Sequence, residues 1–214
     1  MLTSANDLRR VIEFLDNHES RLRRLETQEI GVVTAGVVCL QTILVSQETD
    51  EVQFEDINQG FLHLWLWILS KTPGVAGGCA NQMSFNGDTG NNYKYYNKYH
   101  IRTGVVDSET ATGGTGTTTN IVLGSLAGNP EWAACEVNIF NYTLVNTTRR
   151  SVIWKSWRYD TPGGEIADFV SLEHGGGEWM NTAAAVTSIT ITAGGGTCQF
   201  DVGSMFTLMG VCAI

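Results

Sequence analysis

Nine residues, Phe61-Leu-His-Leu-Trp-Leu-Trp-Ile-Leu69, are apolar at every position except His63. In an extended chain, alternate side chains point to opposite faces. Leu62, Leu64, Leu66 and Ile68 then share one face, and Phe61, His63, Trp65, Trp67 and Leu69 share the other. A strand that is greasy on both sides has to be covered on both sides. One face suits a sandwich core. The other calls for a neighbouring subunit or a flap of the same chain. The run is far shorter than the roughly 20 residues that cross a bilayer as a helix. The uncharged stretch Ile30 to Gln47 is rich in β-branched residues and carries Thr34, Gly36, Gln41 and Thr42, so it too reads as strand and no membrane span is expected.

The rest of the chain after residue 30 follows the same period of two. The whole chain is rich in Gly (24 residues) and Thr (24 residues) and holds only 3 Pro, a composition of short strands joined by glycine turns. Val32 to Val45 predicts one or two strands, and Gln47 to Glu55 another in which Val52 and Phe54 point the same way. Further strands are expected at Trp132 to Leu144, Ser151 to Tyr159, Ile166 to Leu172, Val186 to Thr192 and Met205 to Val211. Residues 73–92, with Pro73-Gly74, Gly77-Gly78 and Asn86-Gly87-Asp88, read as turns, and residues 104–120 as a long exposed loop. The fold class expected is mainly β: a jelly-roll-like antiparallel β-sandwich preceded by a short N-terminal α-helix.

That helix is read from residues 1–29, which carry eleven charges and no Gly or Pro. Leu8, Val11, Leu15, Leu22 and Leu25 fall on heptad positions a and d, and only His18 interrupts them. Ser4 with Asp7 gives a helix start. A narrow stripe with charged flanks suits a seam between helices, whereas the alternative is a lone amphipathic helix packed on its own domain. The organisation expected is an oligomerising or anchoring helix at 1–29, a connecting strand or arm at 30–51 and a β-sandwich at 52–214.

Chemistry is sparse. The formal net charge is −9, which disfavours phosphate and hence a nucleic-acid partner. Met1 to Arg10 has no apolar stretch of the kind a secretory signal needs, so the sequons at Asn141 and Asn146 carry no weight. Cys39, Cys79, Cys135, Cys198 and Cys212 are odd in number and far apart, which reads as reduced thiols in a cytosolic product rather than as a disulfide framework or zinc site. His18, His63, His100 and His174 show no ligand spacing, and Asp88 among Asn86, Asn91 and Asn92 suits turn chemistry better than calcium. Gly113-Gly-Thr-Gly116 lacks the Lys of a phosphate loop. No metal and no cofactor is expected. Glu165, Asp168, Glu173 and Glu178 are the carboxylates available for glycoside hydrolysis, but they read more simply as solvated turn residues. Tyr93, Tyr95, Tyr96 and Tyr99 form a Tyr-rich basic stretch, either a receptor contact or a strand with Tyr alternating over a sheet face.

Several segments occur in the order of a known family. They are Val52-Gln-Phe-Glu-Asp-Ile57, Phe61-Leu-His-Leu-Trp-Leu66, Phe85-Asn-Gly-Asp-Thr-Gly-Asn-Asn-Tyr93, Val137-Asn-Ile-Phe-Asn-Tyr142, Trp179-Met-Asn-Thr-Ala-Ala-Ala-Val-Thr-Ser-Ile-Thr-Ile191 and Phe200-Asp-Val-Gly-Ser-Met-Phe-Thr-Leu-Met-Gly210. Over about residues 50–214 the chain resembles tailed-bacteriophage virion structural proteins of the capsid-decoration and fibre type. It departs from their pattern at Trp65 and Trp67, where an Arg-bearing strand end is usual, and at Met209, where Tyr is common. The resemblance implies a non-enzymatic virion component, often trimeric, assembled in the host cytoplasm. Its partners would be its own copies, a major capsid or tail protein, and a host surface receptor. Decoration or cement of the capsid, or a short head fibre, is the leading expectation; a tail-fibre or tail-tip protein contacting host glycan or protein is the second, and a glycan depolymerase the third. The oligomer contacts expected are Leu8, Val11, Leu15, His18, Leu22 and Leu25 in the helix, with Trp65 and Trp67 in the domain.

Overall fold

The structure is a computed structural model that describes residues 36–74, 79–103, 106–113, 117–128, 131–146, 148–160 and 169–212, with 99–103, 106–113, 159–160 and 169–170 placed by backbone alone. The expected helix at 1–29 lies outside the described residues. Thirteen strands are seen among those described: β1 (Val37–Leu44), β2 (Glu51–Phe54), β3 (His63–Thr72), β4 (Ala80–Phe85), β5 (Tyr93–Thr103), β6 (Val106–Gly113), β7 (Ile121–Ser125), β8 (Ala127–Gly128), β9 (Ala133–Phe140), β10 (Arg150–Asp160), β11 (Phe169–Trp179), β12 (Ile189–Gly194) and β13 (Met205–Val211). The large sheet runs β1-β13-β3-β9-β10-β11-β5-β6, and the small one β2-β12-β4-β7. Pairing is antiparallel throughout except for the two-residue β8, which lies parallel to β3. The mainly β, two-sheet expectation holds. β1, read as part of a connecting arm, is the edge strand of the large sheet beside β13.

The core follows from alternation. On the large sheet Leu64, Leu66 and Ile68 of β3, Val137 and Ile139 of β9, Val152 and Trp154 of β10, and Phe206 and Leu208 of β13 are buried. From the small sheet Val52, Phe54, Met83, Phe85, Ile121, Leu123, Ile189 and Ile191 join the same cluster. Each such side chain contributes about 1.5–3 kcal/mol by leaving water, so this cluster is the principal term holding the sheets together.

Several expectations are corrected. Residues 73–92 are not all turn: β4 occupies Ala80–Phe85 and lies between β12 and β7. A buried polar residue on its inward face disguised it, since Asn81 sits in the core and accepts a hydrogen bond from Ser70 Oγ at 3.3 Å. The loop expected at 104–120 contains β6, which pairs with β5. β7 was not anticipated, and β11 runs on past Leu172 to Trp179 through Gly175, Gly176 and Gly177. Glycine usually weakens a strand, but here close approach demands it. A Cβ on Gly175 would lie 2.3 Å from the Trp154 ring and 2.4 Å from the Tyr96 carbonyl.

The cysteine reading is also corrected, because Cys79 and Cys198 form a disulfide across 119 residues. Cys39, Cys135 and Cys212 are free. Spacing could not show the pair. It arises because Ala80 at the start of β4 lies opposite Gly194 at the end of β12, which brings the flanking loops together. The turn chemistry expected of Asn86 to Asp88 is present. Asn86 adopts φ 52° and Gly87 φ 64°. The Asp88 carboxylate accepts hydrogen bonds from Trp179 Nε1 at 2.7 Å, from the Gly90 N–H at 2.9 Å and from Asn92 Nδ2. Burial pushes this carboxyl up, but those donors outweigh it and hold its pKa below the ordinary value.

Candidate functional site

The strand alternation that buries Leu64, Leu66 and Ile68 turns Trp65, Trp67 and Leu69 to the outer face of the large sheet. Register extends that face across six strands. Leu44 of β1 lies opposite Met205, Met205 opposite Leu69, Leu69 opposite Ala134, Ala134 opposite Trp157 and Trp157 opposite Leu172. Every member of this ladder is apolar. At about 4.8 Å per strand it spans roughly 24 Å. Leu44 is 64% exposed, Leu172 47%, Trp157 42%, Met205 38% and Leu69 36%. Trp67 lies one row below, its ring edge-on to Trp157 at 6.1 Å and tilted against Trp65 at 6.0 Å. Both tryptophans are half-buried, neither sealed in the core nor fully in water. The Trp65 indole N–H is buried without a partner among the described residues.

Charge gathers elsewhere. Lys71, two residues after Leu69 on the same face of β3, pairs with Asp201 at 3.0 Å and stands over the Trp132 ring. Arg149 pairs with Glu178 at 2.6 Å near another margin, and Glu136 lies opposite Lys155 in the row of Trp67. An apolar centre with a charged margin is the anatomy of a protein contact surface. An apolar ladder exposed at five of its six members, with only Ala134 buried, is not what a solitary acidic domain keeps in water.

The tyrosines do not act together. Tyr93 is wholly buried; its hydroxyl accepts from the Phe85 N–H at 2.9 Å, and burial pushes its pKa up to about 12. That removes Tyr93 from any receptor contact. Tyr95 packs against the core from the same face, and only Tyr96 turns outward, 53% exposed. The Tyr99 side chain lies outside the described residues, as do Leu8, Val11, Leu15, His18, Leu22 and Leu25.

The carboxylates are dispersed. Glu173 is buried and accepts from the Ser125 N–H at 3.2 Å and Ser125 Oγ at 2.8 Å. Glu178, five residues on, faces outward to Arg149. An odd separation along a strand places the two on opposite faces, so they form no catalytic pair. Glu165 and Asp168 lie outside the described residues. Among the described residues no group of three His, Cys, Asp or Glu side chains could hold a metal ion, and no helix is long and apolar enough to cross a membrane.

One buried group gave no sign of itself in the sequence. Arg150 is fully buried at the start of β10. It donates to four backbone carbonyls, those of Thr148, Asn181, Leu144 and Ala184, and stacks on Trp179 at 5.3 Å.

No family model and no curated protein matches the chain. Among solved structures, one described as a candidate pore-forming toxin from Bacteroides vulgatus ATCC 8482 aligns at 7% identity over 72% of this chain and 58% of its own, with a TM-score of 0.12. A superposition of that quality establishes no shared fold and no shared activity.

Proposed function

We propose that the chain is a non-enzymatic virion structural protein of a tailed phage, an oligomer that decorates or cements the capsid or forms a short head fibre. The observation that carries this reading is the exposed ladder Leu44, Met205, Leu69, Trp157, Leu172, with Trp67 and Trp65 beside it. Sister copies, in threes, cover it, and the helix expected at 1–29 gathers or anchors them through Leu8, Val11, Leu15, His18, Leu22 and Leu25. In this reading the sandwich is a jelly-roll-like module on a coiled-coil stem. Its other partner is a major capsid or tail protein. The virion is assembled in host cytoplasm, and the Cys79–Cys198 bond closes once particles reach oxidising surroundings.

Immunogold labelling of purified particles with antibody raised against this chain tests the placement. Gold regularly spaced over heads supports it. Particles left bare, with the protein recovered only from infected-cell lysate, would remove it. Gold confined to the tail end supports instead the second reading, a tail-fibre or tail-tip receptor-binding protein. The outward Tyr96 is the residue that favours it.

A further inference from the structure

Of the three consecutive glycines in β11, packing accounts for two. Gly175 is forced by the Trp154 ring, and a Cβ on Gly177 would meet the Lys94 carbonyl at 2.9 Å and Ile121 at 3.2 Å. Gly176 points the other way, onto the outer face, where an added Cβ would meet only the Val152 carbonyl at 3.6 Å. Its backbone is not in the left-handed region. A glycine there destabilises the strand by about 0.5–1 kcal/mol relative to alanine with no steric reason. What it leaves is a slot. Register places Ile153 on one side of Gly176 and Tyr96 on the other, each 53% exposed. In the next row Ser151, Glu178 and Lys94 lie side by side. Gly176, Tyr96, Ser151, Glu178 and Lys94 line an open groove of about 380 Å³. Ile153, with Glu136, Asn138, Phe140 and Lys155, lines a second depression of about 180 Å³.

We infer that this groove is a binding site for a neutral oligosaccharide. It is shallow and open, with a backbone floor, so it suits a flat ring rather than an enclosed apolar ligand. The exposed face of Tyr96 offers a rigid aromatic platform for the C–H face of a pyranose. Around it stand the donors Lys94 and Arg149, the acceptor Glu178 and the hydroxyl of Ser151, a mixture suited to sugar hydroxyls, which both donate and accept. Arg149 and Glu178 pair with each other, which leaves Lys94 as the net charge and no cluster of cations to hold a polyanion. From Asn138 on β9 to Tyr96 on β5 is three strand spacings, roughly 14 Å, so the two depressions admit a short oligosaccharide lying across the strands. Among the described residues the other carboxylate lining these depressions, Glu136, stands two strands and four residues away from Glu178, roughly 16 Å, too far for a hydrolytic pair, so this is a site of binding. The groove at Gly176 lies on the same outer face as the ladder, four residues along β11 from Leu172, and its lining comes from one copy.

The test uses the full-length protein and four neutral probes: maltohexaose, cellohexaose, chitohexaose and a mannohexaose, followed by saturation-transfer-difference NMR and titration calorimetry. At least one gives saturation transfer and a measurable heat. Tyr96→Ala lowers that affinity about tenfold or more. Gly176→Val, which fills the slot with a residue suited to strands, abolishes binding while the melting temperature stays level or rises. Silence from all four probes overturns the inference, and so does binding that survives both substitutions. Sedimentation of the same variants keeps the outcomes separate, since loss of sugar binding with an unchanged oligomer speaks only to the groove.

Discussion

Arg150→Met is expected to lower the melting temperature by about 10 °C, although its side chain lies on the inner face of the sheet, opposite the ladder and the groove. The guanidinium is a hub. Its two terminal nitrogens donate to the carbonyls of Leu144, Thr148, Asn181 and Ala184, so it binds the loop before β10 to the loop after β11. The Trp179 ring it stacks on donates in turn to Asp88, which fixes the turn between β4 and β5. Three segments distant in sequence therefore depend on one side chain. Removing it leaves four carbonyls without their donor. Each unsatisfied group costs about 1–3 kcal/mol, and partial rehydration reduces the net loss to about 3–5 kcal/mol. At about 2–4 °C per kcal/mol for a chain of this size, the shift is on the order of 10 °C. Arg150→Lys should recover little, because a single ammonium cannot serve four acceptors in a plane. Arg149→Ala, which breaks an exposed pair with Glu178, should change stability by less than about 1 kcal/mol. Thermal unfolding of the three variants followed by circular dichroism checks the contrast. An Arg150→Met protein as stable as the parent would show that the hub is not needed.

Breaking the Cys79–Cys198 bond should be of similar size. A cross-link closing 119 residues restricts the unfolded chain by about 4–5 kcal/mol in the chain-entropy account. Guanidinium unfolding in the presence of a phosphine reductant should therefore shift to clearly lower denaturant, and Cys79→Ser/Cys198→Ser should coincide with the reduced parent. Alkylation of the unfolded, unreduced protein should modify three cysteines, Cys39, Cys135 and Cys212, and not five. Five modified cysteines together with reductant-independent unfolding would contradict the pairing.

The parts of this fold that were legible in the sequence are those governed by alternation alone. β3, β9, β10 and β13 fall where strands are expected, and Leu64, Leu66 and Ile68 share the buried face of β3. So was the outward set on β3, from which the exposed face was inferred. Alternation failed where an inward position is polar or bare. Asn81 concealed β4, and Gly175 to Gly177 concealed the second half of β11, because their partners, Ser70 and Trp154, come from elsewhere in the sheets. β6 was concealed by a run of small and polar residues around Gly113 that pairs with β5. The disulfide and the Arg150 hub depend on loop-to-loop geometry, which no local pattern encodes. The tyrosine stretch forms β5, with Tyr93 and Tyr95 turned inward and Tyr96 outward. The ladder was only partly visible: Trp65 and Trp67 were singled out, but Trp157, Leu172 and Met205 join them through register.

Oxidative footprinting of the full-length protein by hydroxyl radicals reaches the central claim most directly. In one copy Trp157 and Met205 are 42% and 38% exposed, and Trp132, outside the ladder, is 38% exposed. If sister copies cover the ladder, Trp157 and Met205 are oxidised several-fold more slowly than side chains of their type and single-copy exposure allow, while Trp132 reacts freely. Trp157 and Met205 oxidised at the full rate set by their exposure in a single copy would mean that nothing covers this face.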